Sequence, residues 1–220
     1  ITKDLANFMR ISLFPLLFLT LAAPAHATRE QFELWLNPSA TVAVDDRTYV
    51  ELETAQRFRP EPSDDTYYAR LWLGREIAED VTLSGGVERR YEGDGREVRF
   101  LQQVNYPLGP LGGRTRLEQR LIEGDPDTSW RLRQRIGGAI PLSAKDGGWE
   151  LVGNVEGFFV LRPSEPDAQT GLTGIRSFVG FERELGRVEL SLGYLRQQTV
   201  RNDAPDTIGH APFIGVGLSF

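Results

Sequence analysis

The chain has no cysteine, and its 220 residues include only two histidines and one methionine. Without cysteine there can be no disulfide, thiolate metal site or cysteine nucleophile. The formal net charge of −6 gives no support for a nucleic-acid partner, which requires a clustered basic surface. The sequence also lacks a phosphate-binding glycine loop, a zinc motif and calcium-loop spacing, so we expect no cofactor and no metal.

Long apolar runs are equally scarce. Residues 11–23 form one such run, which follows Met9 and Arg10 and precedes the small residues Ala25 and Ala27. This pattern is typical of a secretory signal peptide cleaved before Thr28. The run is shorter than the roughly 20 residues that a membrane-spanning helix needs. We therefore expect an exported protein, with upstream residues and a signal peptide in 1–27 and one domain in 28–220.

The remainder of the chain alternates apolar and polar residues with the period of a β-strand. A strand in a soluble sheet has about 5–6 residues, whereas a tilted membrane strand has about 9–11, and most of these segments have the longer length. The predicted strands are 31–44, 49–58, 67–77, 81–91, 98–106, 114–121, 129–140, 149–161, 172–185, 187–200 and 211–220.

The connections between these segments alternate in kind. Short or glycine-rich turns alternate with acidic, mostly longer connections, an asymmetry that bacterial outer-membrane barrels show between their periplasmic and external ends. The mean hydropathy of −0.32 agrees with such a barrel, because its strands alternate apolar and polar residues. We predict an all-β, antiparallel, up-and-down transmembrane β-barrel of ten to twelve strands, monomeric and located in the bacterial outer membrane.

Strand direction leaves one question open for the opening segment. If the short turns are periplasmic, segment 31–44 runs inward from the outside, although an exported N-terminus should start in the periplasm. A count of eleven would also be unusual, because bacterial barrels have even strand numbers. Either the segment breaks near Asn37 and Pro38, giving twelve strands, or part of it lies outside the wall, giving ten.

The arginine pattern of segment 129–140 predicts which face points to lipid. Arg131, Arg133 and Arg135 share one face, opposite Trp130 and Leu132. One arginine facing lipid at the midplane costs roughly 2–4 kcal/mol, so three would cost as much as the whole stability of a typical domain. We therefore assign the arginines to the lumen.

The same rule assigns a wider lumen network. Its members are Arg99, Arg114, Arg116, Glu118, Arg120, Arg131, Arg133, Arg135, Glu150, Asn154, Glu156, Arg176 and Glu182. A basic wall in 98–140 is expected to face an acidic wall formed by 149–193 with Glu51 and Glu53. Two interpretations remain: a salt-bridged, filled lumen, or an aqueous pore or polar binding pocket.

The last strand alternates in the same way. Its residues Ile214, Val216, Leu218 and Phe220 are expected to face lipid, and a final strand ending in phenylalanine resembles the signal that barrel-assembly machinery recognises. The expected partners are therefore this machinery during insertion, outer-membrane lipids and lipopolysaccharide.

Several ordered strings resemble a bacterial family of outer-membrane barrels known only as a domain of unknown function, DUF2490. The strings are QFELWLN, RTRLEQR, SWRLRQR, NVEGFF, GIRSFVGF, LGYLRQQ and the terminal GH. The resemblance implies an outer-membrane location and no established activity. It points to Trp35, Arg116, Glu118, Arg120, Trp130, Arg131, Arg133, Asn154, Glu156, Arg176, Tyr194 and His210. One departure is Gly209, where the family usually has asparagine.

Catalysis has one candidate base. His210 is the single histidine after residue 27, and Asp203, Asp206 and Ser129 are expected at the same rim of the barrel. The acidic loop residues Asp64, Asp65, Asp94, Asp125 and Asp127 are interpreted as solvated loops rather than a cation site.

We expect an envelope-associated structural role. The alternatives are a narrow pore for small polar solutes or ions, a lipid A or phospholipid hydrolase or acyltransferase using His210, and a soluble lipocalin-like barrel.

Overall fold

The computed structural model describes residues 29–61, 65–143 and 147–220, so the predicted signal peptide and Asp64 lie outside the described residues. Within these ranges the regular structure consists of strands, and no helix there is long and apolar enough to cross a membrane. The strands are β1 Arg29–Phe32, β2 Leu34–Ala43, β3 Thr48–Phe58, β4 Thr66–Ala78, β5 Val81–Glu92, β6 Gly95–Leu108, β7 Leu111–Ile122, β8 Ser129–Pro141, β9 Glu150–Arg162, β10 Gly171–Leu185, β11 Val188–Thr199 and β12 Thr207–Ser219.

The sheet closes on itself through a parallel contact between its first and last strands. From β2 to β12, each strand pairs antiparallel with the next, and β12 pairs parallel with both β1 and β2. The register against β12 continues unchanged from β1 to β2, with Phe32 opposite His210 and Trp35 opposite Phe213. Strands β1 and β2 are therefore two parts of one wall strand. The predicted all-β barrel is confirmed, and its wall has eleven strands.

This closure corrects the expectation for the opening segment. The interruption lies at Glu33 rather than near Asn37 and Pro38, and its backbone N–H still donates to the carbonyl of His210 at 2.9 Å. Pro38 lies inside β2, where the β2–β3 ladder omits Asn37 and Pro38 without changing register, since proline has no N–H to donate. Both parts of the segment belong to the wall, and an odd strand number follows from the parallel contact.

The two ends of the barrel differ in their connections. At one end, the turn end, the described connecting residues are 44–47, 79–80, 109–110, 142–143, 147–149 and 186–187. At the other, the loop end, they are 59–61, 65, 93–94, 123–128, 163–170 and 200–206. The chain enters the wall with Arg29 at the loop end, and Phe220 lies at the turn end.

Burial is inverted relative to a soluble protein. Leu52, Leu71, Val87 and Phe100 are neighbours in register across β3 to β6, and their exposed fractions on the outer face are 49%, 50%, 41% and 45%. Charged side chains such as Glu88, in contrast, are fully buried inside. Since successive residues of a strand point to opposite faces, the alternation of the sequence directly produces an apolar outside and a charged inside.

Two adjacent glycines of β5 provide a matched test of this inner packing. A Cβ at Gly86 would lie 2.5 Å from the Trp72 ring and 2.8 Å from the Leu71 carbonyl oxygen, whereas one at Gly85 would approach the Leu101 carbonyl oxygen only to 4.0 Å. We expect Gly86→Val to lower the free energy of unfolding by about 1–3 kcal/mol or to prevent folding. Gly85→Val should have little effect. Urea unfolding of the refolded barrel measures both, and equal effects would contradict the assigned faces.

Candidate functional site

The interior of the barrel contains a network of ion pairs built from alternate residues of the strands. In β5, for example, Glu88 and Arg90 have side chains pointing inward, while Arg89 between them points outward. Because neighbouring strands are paired in register, inward charges on adjacent strands meet as cross-strand pairs. The network can be described by the carboxylates at its centres.

Glu118 on β7 is the first centre and is completely buried. Its Oε2 accepts a hydrogen bond from Arg131 Nε at 2.8 Å, and its Oε1 accepts one from Arg133 Nη1 at 2.8 Å. Arg131 lies directly opposite Glu118 in the β7–β8 ladder. One buried carboxylate thus holds two guanidinium groups of β8.

Glu156 on β9 is the second centre. Arg133 donates to it through Nη2 at 2.6 Å and Nε at 3.1 Å, and Arg114 of β7 forms a further ion pair. Arg176 of β10 approaches with Nη1 at 3.8 Å from Oε2. Three arginines from three different strands therefore share this one carboxylate.

Glu88 and Glu97 form the third centre, on β5 and β6. Glu88 accepts from Arg70 Nε at 2.8 Å and lies 3.2 Å from Arg99 Nη1. Glu97 accepts from Arg99 Nη2 at 2.6 Å and from Arg120 Nε at 2.5 Å. These contacts link β4, β5, β6 and β7 into one continuous chain of charges.

The arrangement of these pairs differs from the expected one. The sequence suggested a basic wall facing an acidic wall across the lumen. Instead, the pairs run along the wall between adjacent or next-adjacent strands, because register sets the neighbours of each charge. Glu118, within the supposed basic wall, forms ion pairs with Arg131 and Arg133 of the same wall.

Aromatic rings separate several of the arginines. The guanidinium of Arg116 lies 4.9 Å from the Trp72 ring centroid, and those of Arg57 and Arg176 lie 3.7 Å and 4.7 Å from the Trp35 ring centroid. Cation–π contacts of this kind are stronger when the cation is desolvated. They give Arg57 and Arg116 a favourable environment that is not an ion pair.

A second group of charges lies at the loop end. Arg59 Nε donates to Glu33 at 2.9 Å, and Arg59 Nη2 donates to Glu92 at 3.2 Å. Burial alone would lower the pKa of the Arg59 guanidinium, but the two carboxylates outweigh burial and raise it above its ordinary value. Both carboxylates at this end are thereby engaged, since Glu92 also pairs with Arg90 at 3.2 Å.

The network surrounds a cavity of about 620 Å³ along the barrel interior. Its lining includes Glu33 and Arg59 at the loop end and Glu189 and Gly217 towards the turn end. An eight-stranded barrel has an interior that side chains can fill, and eleven strands enclose a wider one. The charged side chains therefore leave a central space open.

Most residues of the predicted lumen network lie inside. Those lining the cavity are Arg99, Arg114, Arg116, Arg120, Arg131, Arg133, Arg135, Asn154, Glu156, Arg176 and Glu182. Glu118 is buried behind the arginines that it pairs with. Glu150 is an exception, because its side chain is exposed at the turn end, where β9 begins.

Sequence reasoning missed several members of the network, namely Arg57, Arg70, Glu88, Arg90 and Glu97. All five are at least nine-tenths buried. Like Arg131, Arg133 and Arg135 of β8, they alternate with outward-facing residues along their strands. Each strand, however, contributes only one or two of them. Extending the face assignment strand by strand would have found them.

His210 lies on the outer face of the barrel, near the loop end. Its Nδ1 forms a hydrogen bond with the Tyr194 hydroxyl, and its ring stacks on Phe32 at 5.4 Å between centroids. Ser129 is on β8, four strands away around the wall, and its hydroxyl donates to the Arg162 carbonyl at 3.1 Å. Residues 29–61, 65–143 and 147–220 therefore do not bring this histidine together with Ser129.

Metal ligation has no candidate among the described residues, where no group of three histidine, aspartate or glutamate side chains is placed to hold an ion. On the outer face, Gln134 Nε2 donates to the Tyr106 hydroxyl at 2.7 Å. That hydroxyl also lies 3.1 Å from Thr115 Oγ1, so the three side chains satisfy one another.

Comparison with known families decides the relationship of this chain. The family model described as a protein of unknown function, DUF2490, matches residues 32–208. The chain belongs to this family. The DUF2490 match covers every wall strand from β2 to β11 in full, and ends at the start of β12. The resemblance inferred from the ordered strings is thereby confirmed.

An uncharacterized protein of Methylorubrum extorquens is 34% identical to this DUF2490 chain over 114 residues. The match covers 49% of this chain and 50% of that protein, so the chain spans about half the length of the relative it matches. No solved structure matches the chain. Neither the family nor the relative carries an assigned activity.

Proposed function

We propose that this DUF2490 protein is a bacterial outer-membrane β-barrel with an envelope-associated structural role and an ion-paired, charged lumen. The inversion of burial carries the proposal. Leu71 and Val179 are about half exposed on the outer face, while Glu88, Glu118 and Glu156 are at most 2% exposed inside. An outer surface so rich in apolar side chains is stable against lipid but would aggregate in water.

The same inversion disfavours a soluble lipocalin-like barrel. A barrel of that kind has an apolar interior and a polar exterior, with its ligand held among the apolar side chains. Here the inward residues of β8 are Arg131, Arg133 and Arg135, and their outward neighbours include the half-exposed Ile136. The distribution of side chains is the opposite of the one that a soluble barrel requires.

The proposed orientation has the turn end in the periplasm and the loop end outside. In outer-membrane barrels the periplasmic turns are short and the external loops longer. Phe220, directly after β12, then lies on the periplasmic side, where the barrel-assembly machinery is the proposed partner. Outer-membrane lipids and lipopolysaccharide are the proposed contacts of the apolar outer face, and we propose a monomer.

Fractionation tests the proposal. We expect the expressed protein to sediment with the outer membrane on a density gradient. We also expect the folded protein to migrate faster than the boiled protein in gel electrophoresis, because a barrel wall without free edges resists detergent. Recovery in the soluble periplasmic fraction, with no heat-dependent change in migration, would exclude a membrane barrel.

A second candidate function is a narrow pore for small polar solutes or ions. The cavity favours it, because its lining includes residues near both ends of the barrel. We expect single-channel recordings of the refolded protein in planar bilayers to show a small conductance. Silent bilayers containing protein with confirmed heat-dependent migration would exclude the pore and leave the structural role. A lipid-modifying enzyme has no comparable support, since Ser129 on β8 lies four strands away from His210 on β12.

A further inference from the structure

Positive charge exceeds negative charge in one part of the cavity. Glu118 and Glu156 are the carboxylates that hold four arginines, namely Arg114, Arg131, Arg133 and Arg176. Arg57 and Arg116 also line the cavity, and neither has a carboxylate within ion-pairing distance among the described residues. Two carboxylates therefore hold four guanidinium groups, and two further guanidinium groups have no ion pair, whereas buried charges are normally paired.

Arg57 is the least satisfied of these arginines. Its side chain is 7% exposed, and its Nε has no hydrogen-bond partner in the part of the chain that the structure describes. Its guanidinium lies 3.7 Å from the Trp35 ring centroid and 5.8 Å from that of Tyr68. A buried donor that lacks a partner requires an explanation, and a bound ion is one of the accepted ones.

Arg176 brings a second cation to the same ring. Its guanidinium lies 4.7 Å from the Trp35 ring centroid, and it is close enough to Arg57 for the two to repel each other. Glu33 and Glu92 at the loop end attract Arg57 only from beyond ion-pairing distance, because both form their ion pairs with Arg59. The two guanidinium groups thus lie together beside the open space of the cavity.

We propose that the barrel interior contains an oxyanion-binding site in which Arg57 and Arg176, held on the ring of Trp35, bind a carboxylate or phosphate group of a small ligand. The planar guanidinium of Arg57 can donate two parallel hydrogen bonds to either group. Arg176 contributes mainly positive charge, because its Nε and Nη2 already donate to Gln197 Oε1 at 3.1 Å and 2.5 Å. The cavity of about 620 Å³ lies within the usual size range of small-molecule sites. The site does not depend on the proposed cellular location, because its residues are positioned by the barrel wall itself.

Titration of the refolded barrel in non-ionic detergent and chloride-free buffer tests the site. The probes are inorganic phosphate and glycerol 3-phosphate in one arm, and acetate and lactate in the other. Binding is followed by calorimetry and by the fluorescence of the tryptophans, of which Trp35 is one of four. We expect saturable binding in at least one arm, and the arm that binds more tightly identifies the ligand as a phosphate or a carboxylate.

Variants locate the site. Arg57→Gln should weaken binding at least about tenfold, because a hydrogen bond to a charged group is lost. Arg57→Lys keeps the charge but not the two parallel donors, and it should weaken binding by less. Arg75→Gln is the matched control, since Arg75 is exposed at the turn end and pairs with Asp45. If Arg57→Gln gives no heat-modifiable barrel, the comparison of Arg57→Lys with Arg75→Gln decides.

Two results would overturn the site. One is the absence of saturable binding of any probe to the folded wild-type barrel. The other is affinity in the folded Arg57 variants equal to that of the wild type. Neither result bears on whether the protein is in the outer membrane, because the titration uses detergent-folded protein and fractionation is measured separately.

Discussion

Replacing Glu156 by glutamine is expected to lower the free energy of unfolding by about 3–5 kcal/mol. Glu156 is 2% exposed and is shared by Arg114, Arg133 and Arg176. Glutamine keeps the size of the side chain but leaves three buried guanidinium groups around an uncharged amide. Breaking a buried ion pair from one side costs more than the pair itself contributes, because the remaining charge stays desolvated. Urea unfolding of the barrel in lipid vesicles measures the loss.

Glu182→Gln is the matched control for Glu156→Gln. Glu182 also points into the cavity, but it is only partly buried and accepts a hydrogen bond from Ser191 at 3.1 Å. None of the described arginines lies within ion-pairing distance of it, so the substitution should cost less than about 1 kcal/mol. Equal losses for the two variants would indicate that water in the cavity screens the network, and would contradict its stabilising role.

Leu71→Arg is expected to cost about 2–4 kcal/mol when the barrel is folded in lipid vesicles. Leu71 is half exposed near the middle of β4, with Leu52 and Val87 beside it on the outer face. An arginine there would have to leave water for the hydrocarbon region or distort the lipid around it. At an exposed position in water, the same substitution would change stability by no more than about 0.5 kcal/mol.

Ile77→Arg provides the depth control for Leu71→Arg. Ile77 is 55% exposed at the turn end of β4, where the ladder with β5 shifts register between Glu76 and Ala78. The cost of an outward arginine falls to about 0–1 kcal/mol near the membrane interface. A large difference between the two variants supports an outer face in lipid, whereas similar small values would indicate that this face contacts water.

Much of the fold could be predicted from the sequence, because strand alternation is a local property. Segment 129–140 corresponds to β8 Ser129–Pro141, and segment 98–106 corresponds to the middle of β6 Gly95–Leu108. Closure of the barrel could not be predicted. The partner of the last strand is decided by contacts between residues far apart in the chain, and alternation alone does not distinguish a parallel from an antiparallel neighbour.

The face of each charged residue was equally predictable, but its partners were not. The row of alternate arginines in segment 129–140 predicts that Arg131 points into the lumen. Arg131 does lie inside, where it pairs with Glu118, the residue directly opposite on β7. Such a pair depends on the register between two strands, which the length and type of the turn fix. A one-residue difference would place the same two residues on different faces, so the ion pairs follow only once the register is known.

Single-cysteine labelling on intact cells tests most directly whether the barrel spans the outer membrane with its loop end outside. Because the sequence has no native cysteine, the label can react only with the introduced residue. The reagent is a maleimide on a polymer too large to cross the outer membrane. We predict that Asp94→Cys and Arg29→Cys, both at the loop end, react on intact cells. Glu79→Cys at the turn end should react only after permeabilisation. Labelling of Glu79→Cys on intact cells, or of none of the three before permeabilisation, would contradict a barrel that spans the outer membrane in this orientation.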